Sequence, residues 1–347
     1  MNHSFPYKHI SCILCFLLII LVSCKDNQTI DSECEDIVYS SPIGFPEIPF
    51  PLDNPIKHET VMLGQKLFYD KTLSKDGSVS CASCHKQENA FSDAGKSVSR
   101  GVANEAGMRN SPTIVNSAYH NSFFYDGRIQ QLELQIKEAL LSPNEMYSSE
   151  AHIVSAIQSN NAYKALFYKA FGNDSIDVLK VCKAIACFTR TIVSGDSRYD
   201  LYKRGVNINI TPKEKQGIEL FFSDKTQCAS CHSGYNFTDY NFYSTGLYTH
   251  YYDKGHYNTT KLEKDIGTFK TPSLRNIALT YPYMHDGSLS TLSELLQHYN
   301  HGGKGFINKD KRIDSLHLSN TELQALEAFL LMLTDSSMIN NPAYSHP

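Results

Sequence analysis

The string Cys-Ala-Ser-Cys-His occurs twice in the chain, at Cys81–His85 and at Cys228–His232. Two thiols three positions apart with an imidazole directly behind them match the edge of one porphyrin. Each thiol adds across a vinyl group, and the imidazole reaches the iron. A thioredoxin-like dithiol or half of a zinc site uses the same cysteine step, but neither calls for a histidine in the same place twice. Cys81, Cys84, Cys228 and Cys231 are therefore expected to carry two covalent c-type haems, with His85 and His232 as proximal iron ligands.

Covalent haem of this kind belongs with an exported protein, and the N-terminus agrees. A lone Lys8 precedes an uncharged, mostly apolar run from Ile10 to Val22, too short to span a bilayer with ease, so residues 1–23 read as a secretory signal. The run ends Leu21-Val22-Ser23-Cys24, which resembles a bacterial lipobox. Cleavage before Cys24, with a lipid on its sulfur, would anchor the chain to a membrane surface on the periplasmic side; a plain signal with Cys24 an incidental thiol is the alternative. Of the 10 cysteines, Cys12 and Cys15 leave with the signal, and Cys34, Cys182 and Cys187 remain after the haem strings are counted. Cys182 and Cys187 lie in a helical pattern of Val178, Val181, Ile185, Phe188 and Ile192. A five-residue step turns about 140° around a helix, so they cannot readily bridge and are read as packed small hydrophobes.

At 347 residues the chain is too long for one comfortable core, and two domains are expected. Lys and Arg (32) are outnumbered by Asp and Glu (36) and are scattered, which excludes the basic stripe of a nucleic-acid binder. Residues 24–54, polar and then rich in proline (Pro42, Pro46, Pro49, Pro51), read as a tether, with the fold beginning near Pro55. Beyond it the class is mainly α. Helix starts with capping logic recur at Thr211–Glu214, Thr291–Glu294 and Ser319–Glu322, the last leading into a stripe of Leu323, Leu326, Leu330 and Leu333. An internal repeat appears when the haem strings are aligned: Gly64-Gln-Lys-Leu-Phe-Tyr69 precedes the first, and Gly217-Ile-Glu-Leu-Phe-Phe222 the second. A boundary near Ser194-Gly195-Asp196 divides the chain into haem domains at 55–195 and 196–335, with the last helix packing back on the first.

The ordered set Leu63–Asp70, Cys81–His85, Arg109-Asn-Ser-Pro-Thr113, Phe124-Tyr-Asp-Gly-Arg128, Asn144-Glu-Met146, Cys228–His232, Lys270-Thr-Pro-Ser-Leu-Arg-Asn276 and Tyr281-Pro-Tyr-Met-His-Asp-Gly287 resembles that of the bacterial di-haem cytochrome c peroxidases, including the methylamine-utilisation MauG-like enzymes. The resemblance implies two class-I cytochrome c-like domains, peroxide handled at the first haem, and electrons entering at the second. Hydrogen peroxide would be reduced to water with electrons from a small donor such as cytochrome c. It further implies that Glu145 shuttles a proton between the peroxide oxygens, that Gln135 lines the same pocket, and that Asn110, Thr280 and Pro282 hold one calcium ion between the haems. A pairing of two copies as a homodimer is left open.

Three departures from the family pattern matter. Tyr125 stands where the family has a tryptophan between the haems, and the chain contains no tryptophan. From Lys86 to Tyr119 there is no histidine, His120 coming later, so the first haem is expected to be open at rest and to need no reductive activation. Tyr299 takes the place of the methionine ligand of the second haem, and Leu292, Leu295, Leu296 and Tyr299 share one helix face while His298 points off it. Tyr299 and the missing histidine lean toward the competing reading, a MauG-like oxidase of aromatic residues on a partner protein. A pure electron-transfer cytochrome would instead need both irons fully ligated.

Because each half carries its own string, His232→Ala should lose or misligate the second haem and leave the first in place. Optical and EPR spectra check this; two native haem signals in the variant would overturn the attachment assignment.

Overall fold

The computed structural model describes residues 39–347; the signal, Cys24 and Cys34 lie outside the described residues. Among those described, helices supply nearly all the regular structure. The first half contributes α1 (His58–Tyr69), a single turn α2 (Cys81–Cys84), α3 (Leu132–Leu141), α4 (Glu150–Gln158), α5 (Asn161–Phe171) and α6 (Val178–Thr191). The second contributes α7 (Arg198–Lys203), α8 (Pro212–Phe221), α9 (Tyr257–Thr260), α10 (Leu292–Asn300), α11 (Asn320–Leu331) and α12 (Ser336–Ile339). One small antiparallel ribbon joins β1 (Phe242–Tyr243) to β2 (Phe269–Lys270).

The caps form as the sequence suggests. Thr211, Thr291 and Ser319 each accept a hydrogen bond from the amide three residues on, while Glu214, Glu294 and Glu322 bond back to the cap amides. Each such box satisfies two orphan donors at a helix start, a contribution of about 1 kcal/mol. Leu323, Leu326, Leu330 and Leu333 are all buried.

The buried residues gather into two principal clusters, one built on α1, α3, α5 and α6, the other on α8, α10 and α11. Each has the same tight crossing at its centre. A Cβ on Gly64 of α1 would stand 1.9 Å from the carbonyl oxygen of Ala184 in α6, and one on Gly217 of α8 would stand 1.9 Å from that of Ala325 in α11. One turn further on, Phe68 packs on Phe188 at 5.3 Å and Phe221 on Phe329 at 4.8 Å. The repeat therefore extends well beyond the haem strings, to the closing helix of each half.

The halves meet through two equivalent asparagines. Asn116 and Asn276 are both wholly buried and both left-handed, with φ of 59°. Asn116 N–H donates to Ile192 O and its Oδ1 accepts from Ser194 N; Asn276 N–H donates to Leu333 O and its Oδ1 accepts from Asp335 N. Ser194 Oγ then donates to Asp335 Oδ2 at 3.0 Å and accepts from Asn276 Nδ2 at 3.1 Å. In the stretch expected as a boundary, Ser194 and Gly195 are thus buried where the halves meet, while Asp196 is exposed.

The segment expected as a tether differs too. Over residues 42–54 it lies against the body: Phe45 packs on Tyr119 and Tyr235, Ile48 is buried, and Asn54 donates to Glu133 and to the Lys183 carbonyl. Proline stiffness suits a strap held along a surface as well as a spacer, and the aromatic and amide side chains between the prolines decide for the strap. At the other end, α12 and the tail return to the first cluster, where Tyr344 donates to Thr191 O and its own carbonyl accepts from Tyr69.

Gly64→Val must push α1 off α6, and should cost about 3 kcal/mol or more of stability in chemical denaturation; Gly217→Val should do the same in the second cluster.

Candidate functional site

Both Cys-Ala-Ser-Cys segments fold into one helical turn that brings its histidine back over the cysteines, with His85 N–H on Cys81 O at 2.9 Å and His232 N–H on Cys228 O at 3.0 Å. The first turn is capped reciprocally by Ser80 and Ser83. The four thiols are unpaired. Burial holds the Cys81 thiol up at about 12, with Cys84 adding to the shift.

The imidazoles are set identically. His85 Nδ1 donates to Phe91 O at 2.9 Å and His232 Nδ1 to Phe237 O at 3.1 Å. A carbonyl can only accept, so Nδ1 carries the proton and Nε2 keeps its lone pair. Burial also pushes both histidines below their ordinary value, which keeps them neutral. Unpaired thiols and a neutral imidazole with Nε2 free among the described residues fit a covalently attached haem in each half. Each accepting carbonyl is itself in a held turn. Ala90 and Phe91 are left-handed and Thr113 Oγ1 donates to Ala90 O; Phe237 is left-handed and Thr238 Oγ1 donates to Thr271 O.

Glu145 lies in the turn after α3. Val102 N–H donates to its carbonyl, and a Cβ on Gly101 would come within 2.3 Å of that oxygen, so the two loops are pressed together there. Behind burial, its charge adds to the upward shift of the Cys81 and Cys84 thiols of the first string. Burial, and then Glu138, raises its pKa, with Arg128 opposing. Gln135, one face of α3, is partly buried, and the structure ties its side chain to neither Glu145 nor Tyr125 by a hydrogen bond.

Tyr125 stands at the junction of the halves: its carbonyl accepts from Lys270 N at 2.8 Å, and Arg109 and Asp286 are the charges its phenol senses. Burial pushes that phenol far above its usual value, so it is neutral. Tyr299 of α10 faces Cys228 and Cys231, and burial, then those two sulfurs, raises its phenol strongly. Leu292 and Leu295 on the same face are buried. His298, expected to point away, is partly buried and bonds through Nε2 to Thr245 O at 3.1 Å.

The three residues expected to hold calcium all border the loop at 95–97. Asn110 Nδ2 donates to the carbonyls of Lys96 and Ser97, leaving Oδ1 free among the described residues, and Gly95 N–H donates to Tyr281 O between Thr280 and Pro282. Oxygen donors of this kind suit a hard cation. No cluster of His, Cys, Asp or Glu of metal-ligating form occurs among the described residues.

Two charged groups escaped the sequence reading. Arg109 makes a bidentate pair with Asp253 at 2.6 and 2.8 Å and a third contact with Asp126 at 2.8 Å, joining the second half's loop to the first. Lys270 reaches from β2 to the Ser122 carbonyl. Both lie in quoted motifs, but their partners are far off in sequence, and nothing in the local pattern names them.

A family model described as di-haem cytochrome c peroxidase matches residues 58–207. The methylamine utilization protein MauG of Methylophilus methylotrophus is 34% identical over 84% of this chain and 87% of its own. The cytochrome-c peroxidase IdrP1 of Denitromonas iodatirespirans is 35% identical over 87% and 89%. A solved MauG-like protein associated with microbial copper homeostasis superposes with a TM-score of 0.85 at 36% identity, covering 89% of this chain and 99% of that one.

Tyr299→Phe removes the phenol oxygen whose pKa the sulfurs of the second string help to raise. The variant should change the spectrum of the second haem alone; resting EPR with both signals unaltered would return Tyr299 to packing.

Proposed function

Because the chain belongs to the di-haem cytochrome c peroxidase family, we propose that it reduces hydrogen peroxide to water with electrons drawn one at a time from a small carrier such as a cytochrome c. The observation that supports this best is Glu145, in the turn after α3, whose carboxyl pKa is raised by burial and whose charge adds to the upward shift of both Cys81 and Cys84. Two covalent haems, on Cys81, Cys84 and His85 and on Cys228, Cys231 and His232, would supply the iron that cleaves the oxygen–oxygen bond and stores the electrons.

The chain's own residues do the rest. A carboxyl with a raised pKa can hold a proton near neutrality and return it, and Glu145 is read as moving that proton from the near to the far peroxide oxygen so that water leaves instead of an alkoxide-like oxygen. Gln135 would line the same pocket. Phe91 O and Phe237 O hold the two imidazoles through Nδ1, which would leave Nε2 to bind an iron. Tyr125, neutral and at the junction, fills the space between the halves. Asn110, Thr280 and Pro282 would hold one calcium ion there by oxygen atoms. We read 55–195 as the peroxide-handling half and 196–335 as the electron-receiving one. Export and a lipid on Cys24 complete the reading; no helix among the described residues is long and apolar enough to cross a membrane.

A second reading, oxidation of aromatic residues on a partner protein, is favoured by Tyr299, whose buried oxygen faces Cys228 and Cys231. Steady-state assay separates the two. Fast peroxide-dependent oxidation of reduced cytochrome c, without a lag that half-reduction removes, supports the peroxidase; slow turnover supports the oxidase. Glu145→Gln keeps the shape but not the titrating group, so peroxide should still bind while turnover falls by about 10² or more. An unchanged chemical step would overturn the role of Glu145.

A further inference from the structure

Four buried side-chain polar atoms among the described residues lack a hydrogen-bond partner, and three of them fall within one short stretch: Ser117 Oγ, His120 Nε2 and Ser122 Oγ. Burying an unmet polar atom costs about 1–3 kcal/mol, so a run of three calls for an explanation such as ordered water. The equivalent positions of the second half are Ile277, Thr280 and Pro282, so the run is not a feature of the repeat itself. A cavity of about 420 Å³, lined by Ser117, His120 and Phe123 and rimmed by the exposed Gln130 and Gln131, lies under Pro49 and Pro51 of the strap. At about 30 Å³ each, several waters fit.

The stretch leads to a buried amine. Lys270 Nζ donates to the carbonyl of Ser122 and stands 5.9 Å from the Phe123 ring, while its own N–H is bonded to Tyr125 O. The charged and titratable groups facing it are Asp126, from the turn at 123–129, and His120, which also packs on Tyr240 at 5.4 Å. Asp126 already serves Arg109 and Arg128, so it does not neutralise the lysine fully. Burial brings Lys270 down to about 8, Asp126 opposing, and burial followed by Lys270 holds His120 well below its ordinary value and hence neutral.

We propose that Lys270 is the proton-uptake group of the junction between the halves, fed by cavity water past Ser117, His120 and Ser122. This rests on the reading of the chain as a carrier of electrons between two haems. An electron entering a low-dielectric interior is stabilised by a positive charge gained nearby. Where the amine is neutral, above about pH 8, it binds on the electron's arrival a proton that bulk solvent supplies through the cavity water, giving the ammonium. Reduction of one peroxide consumes two electrons and two protons and yields two waters, and the ammonium gives its proton back as the electron leaves. Only an N–H bond forms and breaks. Lys270 acts on the charge balance and touches no substrate, so it is a positioning residue.

The sign is definite. Below about pH 8 the ammonium is present before any electron arrives and nothing more binds; above it the amine is free to take a proton. Proton uptake on anaerobic reduction of the holoprotein, read with an indicator dye, should therefore be larger at about pH 9 than at about pH 7. The reduction potential should fall as pH rises through about 8 in the wild type. It should lose that fall in Lys270→Arg, which stays charged, and in Lys270→Met, which never is. Arginine should keep the neutral-pH potential and methionine should lower it, a contrast that a purely structural lysine would not produce. Equal wild-type uptake at the two pH values, or a fall that persists in the arginine variant, overturns the proposal. If neither variant takes up haem, the wild-type uptake decides alone. Both readouts are made without peroxide, so a protein with coupled protons and no peroxidase activity would overturn the functional reading and not this one.

Discussion

The amides of Asn116 and Asn276 hold the two halves in one arrangement, and the placing of both histidines follows from them. Each is wholly buried and accepts a backbone N–H at its Oδ1, while Asn116 Nδ2 donates to the Ser194 carbonyl and Asn276 Nδ2 to the Ser194 hydroxyl. Deleting either would strand partners at about 1–3 kcal/mol apiece. From Asn116 the chain runs back three residues to Thr113, which grips Ala90 O, and the next carbonyl, that of Phe91, orients His85. From Asn276 it runs back to Thr271, whose carbonyl is gripped by Thr238 beside Phe237, the acceptor for His232. Each buried amide therefore sits a few residues along the chain from a threonine-held turn whose neighbouring carbonyl fixes the tautomer of one imidazole.

The guanidinium groups of the interior are paired with carboxylates. Arg190 meets Glu133 at 2.6 Å, Arg275 meets Asp200 at 2.8 Å, and Arg109 gathers Asp126 and Asp253. Such pairs offer little net stability over an apolar core, but breaking one leaves a stranded charge, so they specify which segments meet. Arg109 ties the loop around Asp253 to the turn carrying Tyr125, and His256, stacked on Phe242, adds a bond to the Asp126 carbonyl at 2.6 Å. Lys270 departs from this pattern, since its hydrogen-bond partner is a neutral carbonyl. An interior that pairs its guanidinium groups so thoroughly leaves one amine free to change its charge.

Much of the site is legible locally. The thiol and imidazole spacing, the cap boxes at Thr211, Thr291 and Ser319, and the leucine stripe of α11 each depend on neighbours within one or two turns. The alignment of Gly64 with Gly217 is visible as well, and once visible it would lead to Asn116 and Asn276, which sit in the paired strings Pro-Thr-Ile-Val-Asn and Pro-Ser-Leu-Arg-Asn. Less legible was the proline-rich segment. Its composition reports stiffness, and stiffness serves a spacer and a strap equally; only Phe45 between Tyr119 and Tyr235 distinguishes them. His298 shows the same limit, since a helical wheel puts it off the buried face but cannot see the Thr245 loop that covers it.

By itself the sequence determined that this is a mainly helical, twice-repeated chain with two haem-binding strings, because covalent attachment and helix capping are written within a few residues. The tertiary structure alone decided that Ser194 and Gly195 are buried in the seam between the halves, that residues 42–54 strap the seam, and that Arg109 and Lys270 cross it. The physical reason is that burial, and with it the charge state of a lysine or a glutamate, depends on what the other half of the chain brings alongside, and no spacing within one segment records that.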